Sequence, residues 1–281
     1  MKFWKMNGAG NDFLVLNNLE EHLPHECFPA LARTLCHRHL SIGADGLMVV
    51  EAPLGDGDFR MLFFNSDSSV GETCGNGARC ICRYGYETGL AGDVQRVETM
   101  SGLVTGTRIT DRLYRIRLND VTTLNLNTSV EVDGIRYDCS YVELGDPGLP
   151  HAVVPYANLR MAEEEELREL GRAIRRHKSF PKGANVNFFE ITGEDEVFER
   201  TFERGVEDFT YACGTGTGSV AAVLTMQGKI SGHNVRFRMQ GGELRMDVNR
   251  LGSLITDLYL TGPTNIVCKG KVMDEDLCLT I

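Results

Sequence analysis

The sequence has few features of membrane, secreted or nucleic-acid-binding proteins. It lacks a run of the roughly 18 apolar residues that a membrane helix needs. Its start, MKFWKMNGAGNDFLVLN, carries Asn7, Asn11 and Asp12 where a signal peptide would be apolar. Basic residues are also scarce, because 29 Lys and Arg stand against 39 Asp and Glu and leave a formal charge of −10. Nucleic acids and anionic membranes bind basic surfaces. We therefore expect a cytoplasmic protein that binds neither.

Proline is sparse as well, with 8 residues in 281, and no Pro/Ser-rich linker, repeat or low-complexity tract is present. At roughly 150 residues per domain the length predicts two domains. Short β-like runs recur: FLVLNN, GLMVVEA, FRMLFFN, YRIRL, HAVVPY, NVNFFEI, VFERTF, VRFRM and SLITDLYL. Four helices are predicted among them, over residues 28–39, 75–87, 159–178 and 214–227. This composition predicts an α+β fold with strongly curved or closed sheets.

The usual nucleotide and zinc motifs are also missing. Neither Gly75-x-Gly77 nor Gly214-x-Gly216 continues into G-x-G-x-x-G, and no G-x4-G-K-[ST] occurs. Cys74, Cys80 and Cys82 have the spacing C-x5-C-x-C rather than the C-x2-C of a zinc site. We expect no metal and no cofactor. Most of the nine cysteines should be small buried side chains in a reducing compartment.

Two segments resemble each other and carry the most specific signal in the chain. They read FRMLFFNSDSSVGETCGNGARCICRYGYETG and VFERTFERGVEDFTYACGTGTGSVAAVLTMQGK, each a strand, a polar loop, Cys-Gly-x-Gly and a helix. Asn65 precedes Cys74 by nine residues, and Arg204 precedes Cys213 by nine. The two cysteines are 139 residues apart, about half the chain. The pattern predicts two related halves, each with a cysteine at a helix start.

Such a position suits acid/base chemistry. A helix start presents unpaired N–H groups and a positive dipole end, which bind an anion and favour a thiolate. A thiolate beside a bound carboxylate can remove a proton from the neighbouring carbon, and the N–H groups can stabilise the resulting enediolate. A second cysteine, kept as the thiol, would return a proton on the opposite face. The pattern therefore indicates a two-base racemase or epimerase without a cofactor. A packing role for both cysteines is the simpler alternative.

Several motifs together resemble the diaminopimelate epimerase family over essentially the whole chain. They are KMNGAGNDF, SIGADGL, FNSD, CGNGARC, GANVNF, FERGV, ACGTGTG and LTGP. The resemblance implies pyridoxal-independent conversion of LL- to meso-diaminopimelate on the route to lysine and peptidoglycan. It also implies a homodimer and a fold of two pseudo-symmetric α/β domains, each a curved sheet around a central helix. The expected domains are residues 1–118 with 266–281, and residues 119–265, with the active site in the cleft between them.

The resemblance also implies roles for individual residues. Cys74 and Cys213 match the two acid/base thiols. The α-carboxylate cradle corresponds to Gly75, Asn76, Gly214 and Thr215. The distal amino-acid end corresponds to Asn11, Asn65, Asn185, Glu203 and Arg204. Arg204 and Glu203 suit the binding of an amino-acid group, because Arg can bind a carboxylate bidentately and Glu can accept a hydrogen bond from an ammonium group.

The sequence departs from the family pattern at two places. The family often has Gly-Asn-Pro-His, whereas this chain reads GDPGLPHAVV, with Leu149 before Pro150 and His151. Gly46 stands where some members carry a longer polar residue. We expect His151 to be structural, with Asp146 able to compensate for Leu149 if the loop folds differently. Two alternatives stay open: a related racemase of another amino acid, and a thiol redox or binding protein.

Overall fold

The computed structural model describes residues 1–71 and 75–273. Its contacts divide the chain into two compact units, one of Met1–Ile116 together with the segment that begins at Gly262, and the other of Arg117–Thr261. We call them the first and the second unit. The domain boundaries that the family resemblance implies stay a prediction.

Five helices and seventeen strands are present in the described part of the chain. The helices are α1 Asn18–Glu21, α2 Phe28–Leu35, α3 Gly75–Glu87, α4 Glu164–Arg175 and α5 Gly214–Met226, with short 3-10 helices at His25–Cys27 and Leu159–Met161. The strands are β1 Lys2–Gly8, β2 Asn11–Asn17, β3 Gly46–Glu51, β4 Phe59–Asn65, β5 Val94–Thr99, β6 Gly102–Arg108, β7 Leu113–Arg117, β8 Val121–Val132, β9 Ile135–Leu144, β10 Leu149–Pro155, β11 Asn185–Gly193, β12 Glu196–Glu203, β13 Asp208–Thr210, β14 Val235–Met239, β15 Gly242–Leu251, β16 Leu254–Pro263 and β17 Asn265–Lys271.

The two units have the same topology. In the first unit β2 pairs parallel with β3, β3 antiparallel with β4, and β4 parallel with β5, after which β5, β6 and β7 form antiparallel pairs. The second unit repeats this order with β10, β11, β12, β14 and β15, and ends on β16. In each unit a helix connects the strands of the second parallel pair: α3 lies between β4 and β5, and α5 lies between β12 and β14. The predicted fold class, an α+β protein of two pseudo-symmetric halves, is confirmed.

The connecting helices α3 and α5 form the centres of the units. In α5 every residue except Thr215 and Met226 is buried, and its small Gly, Ala, Ser and Thr side chains allow close approach of the strands. A helix that is apolar on all sides must be surrounded. In α3 the residues from Gly75 to Cys82 are all buried. The sheets therefore supply the apolar surroundings that these helix sequences require.

The helices α2 and α4 are amphipathic and cover one face of the sheets. Leu167, Gly171 and Ile174 of α4 are its buried residues, and Gly171 packs on Phe202 of β12. Both helices are shorter than the predicted 28–39 and 159–178. The Leu35 carbonyl accepts from Gly43 N–H, and the Arg175 carbonyl accepts from Ala184 N–H, so the chain turns back at these points. The four-residue α1 was not predicted.

Candidate active site

In the first unit, three residues that the sequence analysis singled out stand at the ends of adjacent strands. Asn11 begins β2, Gly46 begins β3 and Asn65 ends β4. The register pairs Phe13 with Gly46 and Gly46 with Asn65. These positions therefore lie along one edge of the sheet.

The start of α3 is tied to this edge by side-chain hydrogen bonds. Asn76 Nδ2 donates to Asn11 Oδ1 at 2.7 Å, and Asn11 Nδ2 donates to Asp45 Oδ2 at 3.0 Å. Arg79 Nη2 donates to Asn76 Oδ1 at 2.7 Å, and both side chains are fully buried. The structure thus brings Asn11, Asn76 and Gly75 together. Cys74, one of the two predicted catalytic cysteines, lies outside the described residues.

Asn65 and Gly46 have local structural roles. Asn65 Nδ2 donates to Ser69 Oγ at 2.9 Å, and Asn65 N–H donates to the Ser69 carbonyl at 2.9 Å, which closes the turn after β4. A Cβ atom on Gly46 would lie 2.4 Å from Phe63 Cε2 and 2.7 Å from the Phe64 carbonyl oxygen. Gly46 therefore has a packing reason that is independent of substrate. A substrate contact by Asn65 stays a prediction.

A cluster of charged residues at the same edge was missed by the sequence analysis. Lys5 Nζ lies 2.6 Å from Asp12 Oδ2, and Arg38 Nη2 bridges Asp12 at 2.7 Å and Asp45 at 2.6 Å. Burial alone would raise the pKa of Asp12, but the hydrogen bonds from Arg38 and Lys5 outweigh burial and lower it. These contacts hold Asp45, the hydrogen-bond acceptor of Asn11.

In the second unit, Cys213 is the N-cap residue of α5. Its backbone is extended, with φ −118° and ψ 106°, and its carbonyl accepts the N–H of Thr217 at 2.9 Å. The side chain is buried, with Thr215 Oγ1 3.5 Å from Sγ. The thiol also has a hydrogen bond to the Glu203 carboxyl group. The predicted placement of this cysteine at a helix start is confirmed.

The acidity of Cys213 differs from the expectation for a helix start. Burial raises its pKa well above the ordinary value, and the charge and hydrogen bond of Glu203 raise it further. Hydrogen bonds from the Thr215 hydroxyl and the Gly216 N–H act in the opposite direction but do not compensate. For this cysteine the expectation of a lowered pKa is wrong, because desolvation and a neighbouring carboxylate exceed the helix field. Cys213 is a thiol at neutral pH.

Three predicted residues, Glu203, Arg204 and Asn185, lie at one edge of the sheet in the second unit. Thr210 Oγ1 donates to Glu203 Oε1 at 2.6 Å, while burial raises the pKa of Glu203. Arg204 N–H donates to Asn185 Oδ1 at 2.8 Å, and its exposed guanidinium donates to the Lys182 carbonyl at 3.0 Å. The structure therefore places these three predicted residues beside the start of α5, together with Gly214 and Thr215.

A buried polar network lies behind them. Asn187 Nδ2 lies 3.2 Å from His151 Nδ1, and Thr201 Oγ1 donates to Asn187 Oδ1 at 3.1 Å. Burial lowers the pKa of His151 to about 3, so the imidazole is neutral and internal, which agrees with the structural role expected for it. Glu199 forms a second buried hydrogen bond, with the Thr217 hydroxyl. Asn187, Glu199, Thr201 and Thr217 were missed, although Asn187 follows Asn185 by two residues on β11 and Thr201 follows Glu199 by two on β12, which is the spacing of one strand face.

The loop before β10 is where the sequence departs from the family. Leu149 is partly buried and pairs with Leu144 at the start of β10. Asp146 is exposed and precedes Pro147 through a cis peptide bond. No described hydrogen bond of the Asp146 side chain ties it to Asn185, Glu203 or Arg204. Its compensation for Leu149 therefore stays a prediction.

The remaining cysteines were predicted to be packing residues. This is confirmed for Cys27, Cys36, Cys80, Cys82 and Cys139, which are buried, and is wrong for Cys268, which is exposed, while Cys278 lies outside the described residues. Burial raises the pKa of Cys36 and Cys82 to about 12 and that of Cys139 to about 11. Across residues 1–71 and 75–273, no group of three or more His, Cys, Asp and Glu side chains is arranged to hold a metal ion. No helix in these same ranges has the length and apolar composition to cross a membrane.

Two units of one topology, each with a glycine-rich helix start beside polar strand ends, define a fold that solved racemases and epimerases share. A probable proline racemase from Agrobacterium radiobacter has a TM-score of 0.68 at 16% identity, covering 98% of this chain and 95% of that one. A hydroxyproline epimerase from Agrobacterium vitis has a TM-score of 0.68 at 17% identity, covering 97% and 90%. These likenesses establish the fold.

The sequence comparisons define the family more narrowly. The chain matches the diaminopimelate epimerase family over residues 3–114 and 145–267. It is 37% identical to the diaminopimelate epimerase of Aquifex aeolicus over 99% of both chains, and 37% identical to that of Chlorobaculum tepidum over 95% of this chain and 99% of the other. The chain belongs to the diaminopimelate epimerase family, whose members are isomerases.

Proposed function

We propose that this protein interconverts LL- and meso-diaminopimelate without pyridoxal phosphate or a metal ion, using Cys74 and Cys213 as the acid/base pair. Family membership supports the substrate. The observation that carries the chemistry is the buried Cys213 thiol at the start of α5, hydrogen-bonded to Glu203. In a diaminopimelate-producing cell the reaction would supply lysine and peptidoglycan synthesis, and we propose a cytoplasmic location.

The proton transfers balance between the two thiols. Because Cys213 is protonated at neutral pH, it is the donor in the direction in which a Cys74 thiolate removes the α-proton. The C–H electron pair moves into the substrate carboxylate as an enediolate, while an S–H bond forms at Cys74. The S–H bond of Cys213 then breaks as its proton reaches the opposite face of the carbon. The reverse reaction restores the first state.

Backbone N–H groups at the two helix starts would bind the α-carboxylate. Gly75, Asn76, Gly214 and Thr215 are the first two residues of α3 and of α5, where N–H groups have no partner within the helix. Their dipoles stabilise negative charge that increases as the enediolate forms. The same groups thus serve binding and the transition state.

The distal amino-acid end would be bound by Arg204 and Glu203, with Asn11, Asn65 and Asn185. The exposed guanidinium of Arg204 suits a carboxylate, and Asn185 fixes the backbone of Arg204 through its N–H. Glu203 suits an ammonium group. A substrate with a second amino-acid head is therefore favoured over a simple amino acid.

Exchange of the α-proton in D2O tests this proposal. Purified protein without added pyridoxal phosphate or metal should incorporate deuterium into diaminopimelate, and Cys74→Ala and Cys213→Ala should each abolish turnover. Cys268→Ala is the matched control, because Cys268 is an exposed cysteine outside both helix starts. Near-normal epimerisation by either single catalytic variant would contradict the two-thiol mechanism.

The substrate is tested by the same assay over a panel of amino acids. Other amino acids belong in the panel because of Leu149, a partly buried apolar side chain at a position where the family often has Asn. Exchange with another amino acid but not with diaminopimelate would replace the proposed substrate by that amino acid.

We also propose that the protein is a homodimer, on the strength of the family resemblance. Light scattering coupled to size exclusion should give twice the chain mass of 31.1 kDa. A mass that stays at one chain across micromolar concentrations would contradict the dimer.

A further inference from the structure

A buried carboxyl group contacts the first turn of α5 from β12. Glu199 is 1% exposed and Thr217 is fully buried. Glu199 Oε1 is hydrogen-bonded to the Thr217 hydroxyl, and that hydroxyl also lies 3.0 Å from the Cys213 carbonyl oxygen. A short polar chain therefore runs from a strand side chain to the backbone of Cys213.

The number of hydrogens in this chain determines the state of Glu199. The Thr217 hydroxyl has one hydrogen and two oxygen neighbours. If Glu199 were ionised, the hydroxyl could donate to only one of its two neighbours, Glu199 Oε1 or the Cys213 carbonyl oxygen. A protonated Glu199 donates to Thr217 Oγ1, which leaves the hydroxyl hydrogen for the Cys213 carbonyl. The same carbonyl accepts Thr217 N–H at 2.9 Å.

The second carboxyl oxygen leads to the same conclusion. Glu199 Oε2 is buried and has no hydrogen-bond partner in the part of the chain that the structure describes. A buried carboxylate without donors is costly, whereas a neutral carboxyl group can be accommodated. Burial accordingly raises the pKa of Glu199 to about 8.

We propose that Glu199 is a positioning residue for Cys213. Its protonated carboxyl group orients the Thr217 hydroxyl, the hydroxyl fixes the Cys213 carbonyl, and the fixed peptide plane sets the direction of the Cys213 thiol. Cys213 is an N-cap residue with extended backbone, so no regular helical hydrogen bond of its own N–H fixes it. This inference rests on the proposed function, in which Cys213 is the acid.

Paired substitutions test the positioning role through kcat. Glu199→Gln keeps a neutral donor of the same shape and should retain wild-type kcat. Glu199→Ala should lower kcat roughly tenfold to a hundredfold, with KM changed less than about twofold, because misplacement of a reacting group affects the transition state most. Thr217→Val should match Glu199→Ala, and Thr217→Ser, which keeps the hydroxyl, should match the wild type.

The matched control lies on the same helix. Thr225 is a buried threonine near the other end of α5, and its hydroxyl has no hydrogen-bond partner among the described residues. Thr225→Val should leave kcat unchanged. Wild-type kcat in both Glu199→Ala and Thr217→Val, or equal loss in Glu199→Gln and Glu199→Ala, would overturn the proposal. If Glu199→Ala fails to fold, the kcat values of Thr217→Val and Thr217→Ser test the proposal, and a wild-type kcat in Thr217→Val overturns it.

Infrared spectroscopy tests the protonation state without turnover. The difference spectrum of wild type minus Glu199→Gln at neutral pH should contain the C=O stretch of a protonated carboxyl group. An absent band would overturn the inference. A band in a protein that exchanges no α-proton would instead show that the proposed function is wrong, so the two failures are distinguishable.

Discussion

At the level of single residues, Cys213 has neighbours that act on its thiol in opposite directions. Glu203 disfavours the thiolate, whereas the Thr215 hydroxyl and the Gly216 N–H favour it. A bound substrate ammonium group beside Glu203 would reduce the first effect and leave the other two. The acidity of Cys213 is therefore set by side chains as much as by its place on the helix.

Removal of the carboxylate should make the Cys213 thiol more acidic. We expect Glu203→Gln to lower the pKa of Cys213, because the repulsion between thiolate and carboxylate is lost. The pH dependence of iodoacetamide alkylation, followed at the Cys213 peptide by mass spectrometry, should move to lower pH. Glu207→Gln is the control, since Glu207 is paired with Arg175 and Arg176. An unchanged or higher midpoint in Glu203→Gln would contradict this view.

Arg204 is the residue whose replacement should affect binding most selectively. We expect Arg204→Lys to raise KM for diaminopimelate by about tenfold with a smaller change in kcat, since Lys loses the bidentate geometry for a carboxylate. Steady-state kinetics of deuterium exchange would measure both constants. Arg172→Lys, on the exposed face of α4, should change neither. A loss confined to kcat would place Arg204 outside the substrate pocket.

At the level of elements, the two Cys-Gly-x-Gly helix starts are equivalent in sequence but differ in their packing. A Cβ atom at Gly77 would lie 2.5 Å from Met48 Cε, the end of a flexible side chain. At Gly216 it would lie 2.2 Å from Asn187 Oδ1. Asn187 is held by His151 and Thr201, so it cannot move without breaking hydrogen bonds.

This difference predicts unequal costs for the same substitution. Gly216→Ala should lower the free energy of unfolding by about 1–3 kcal/mol more than Gly77→Ala, because overpacking against a fixed polar group is not relieved. The gain of about 1 kcal/mol in helix propensity is common to both variants and cancels. Urea unfolding of the matched pair measures the difference. Equal costs would mean that Asn187 is free to move.

The same elements show how far the sequence predicts this structure. Runs such as FLVLNN and NVNFFEI predicted strands correctly because both faces are buried, and α3 was predicted with the observed bounds because it follows a cysteine and begins with Gly-x-Gly. Eight of the seventeen described strands were missed: β1, β5, β6, β8, β9, β13, β15 and β17. Seven of the twelve residues of β8 and two of the three of β13 are polar, so neither strand contains the apolar run by which the other strands were predicted. The motif residues could be predicted because each motif is a short, continuous stretch of sequence. Glu199 could not, because its role depends on a contact between β12 and α5 that only the folded chain forms.

At the level of the whole molecule, two buried groups make stability depend on pH in opposite directions. Burial lowers the pKa of His151 from 6.5 to about 3, so its contribution is lost as pH falls below 6.5. Burial raises the pKa of Glu199 from 4.5 to about 8, so its contribution is lost as pH rises towards 8. Between pH 6.5 and about 8, His151 is largely neutral in both states, whereas Glu199 is protonated mainly in the native state.

In that window the native state binds the Glu199 proton and the unfolded state does not, so the free energy of unfolding must fall as pH rises. Comparison with Glu199→Gln isolates this one proton, because every other group is common to both proteins. We expect the wild-type value minus the variant value to fall by about 1.4 kcal/mol per pH unit near pH 6.5, and by less as the native carboxyl group ionises towards pH 8. Urea unfolding across the window measures it, and Glu194→Gln, an exposed residue after β11, should give a flat difference. A flat difference for Glu199→Gln would show that the buried carboxyl group is already ionised at neutral pH, and the polar chain to Cys213 would then lack its first donor.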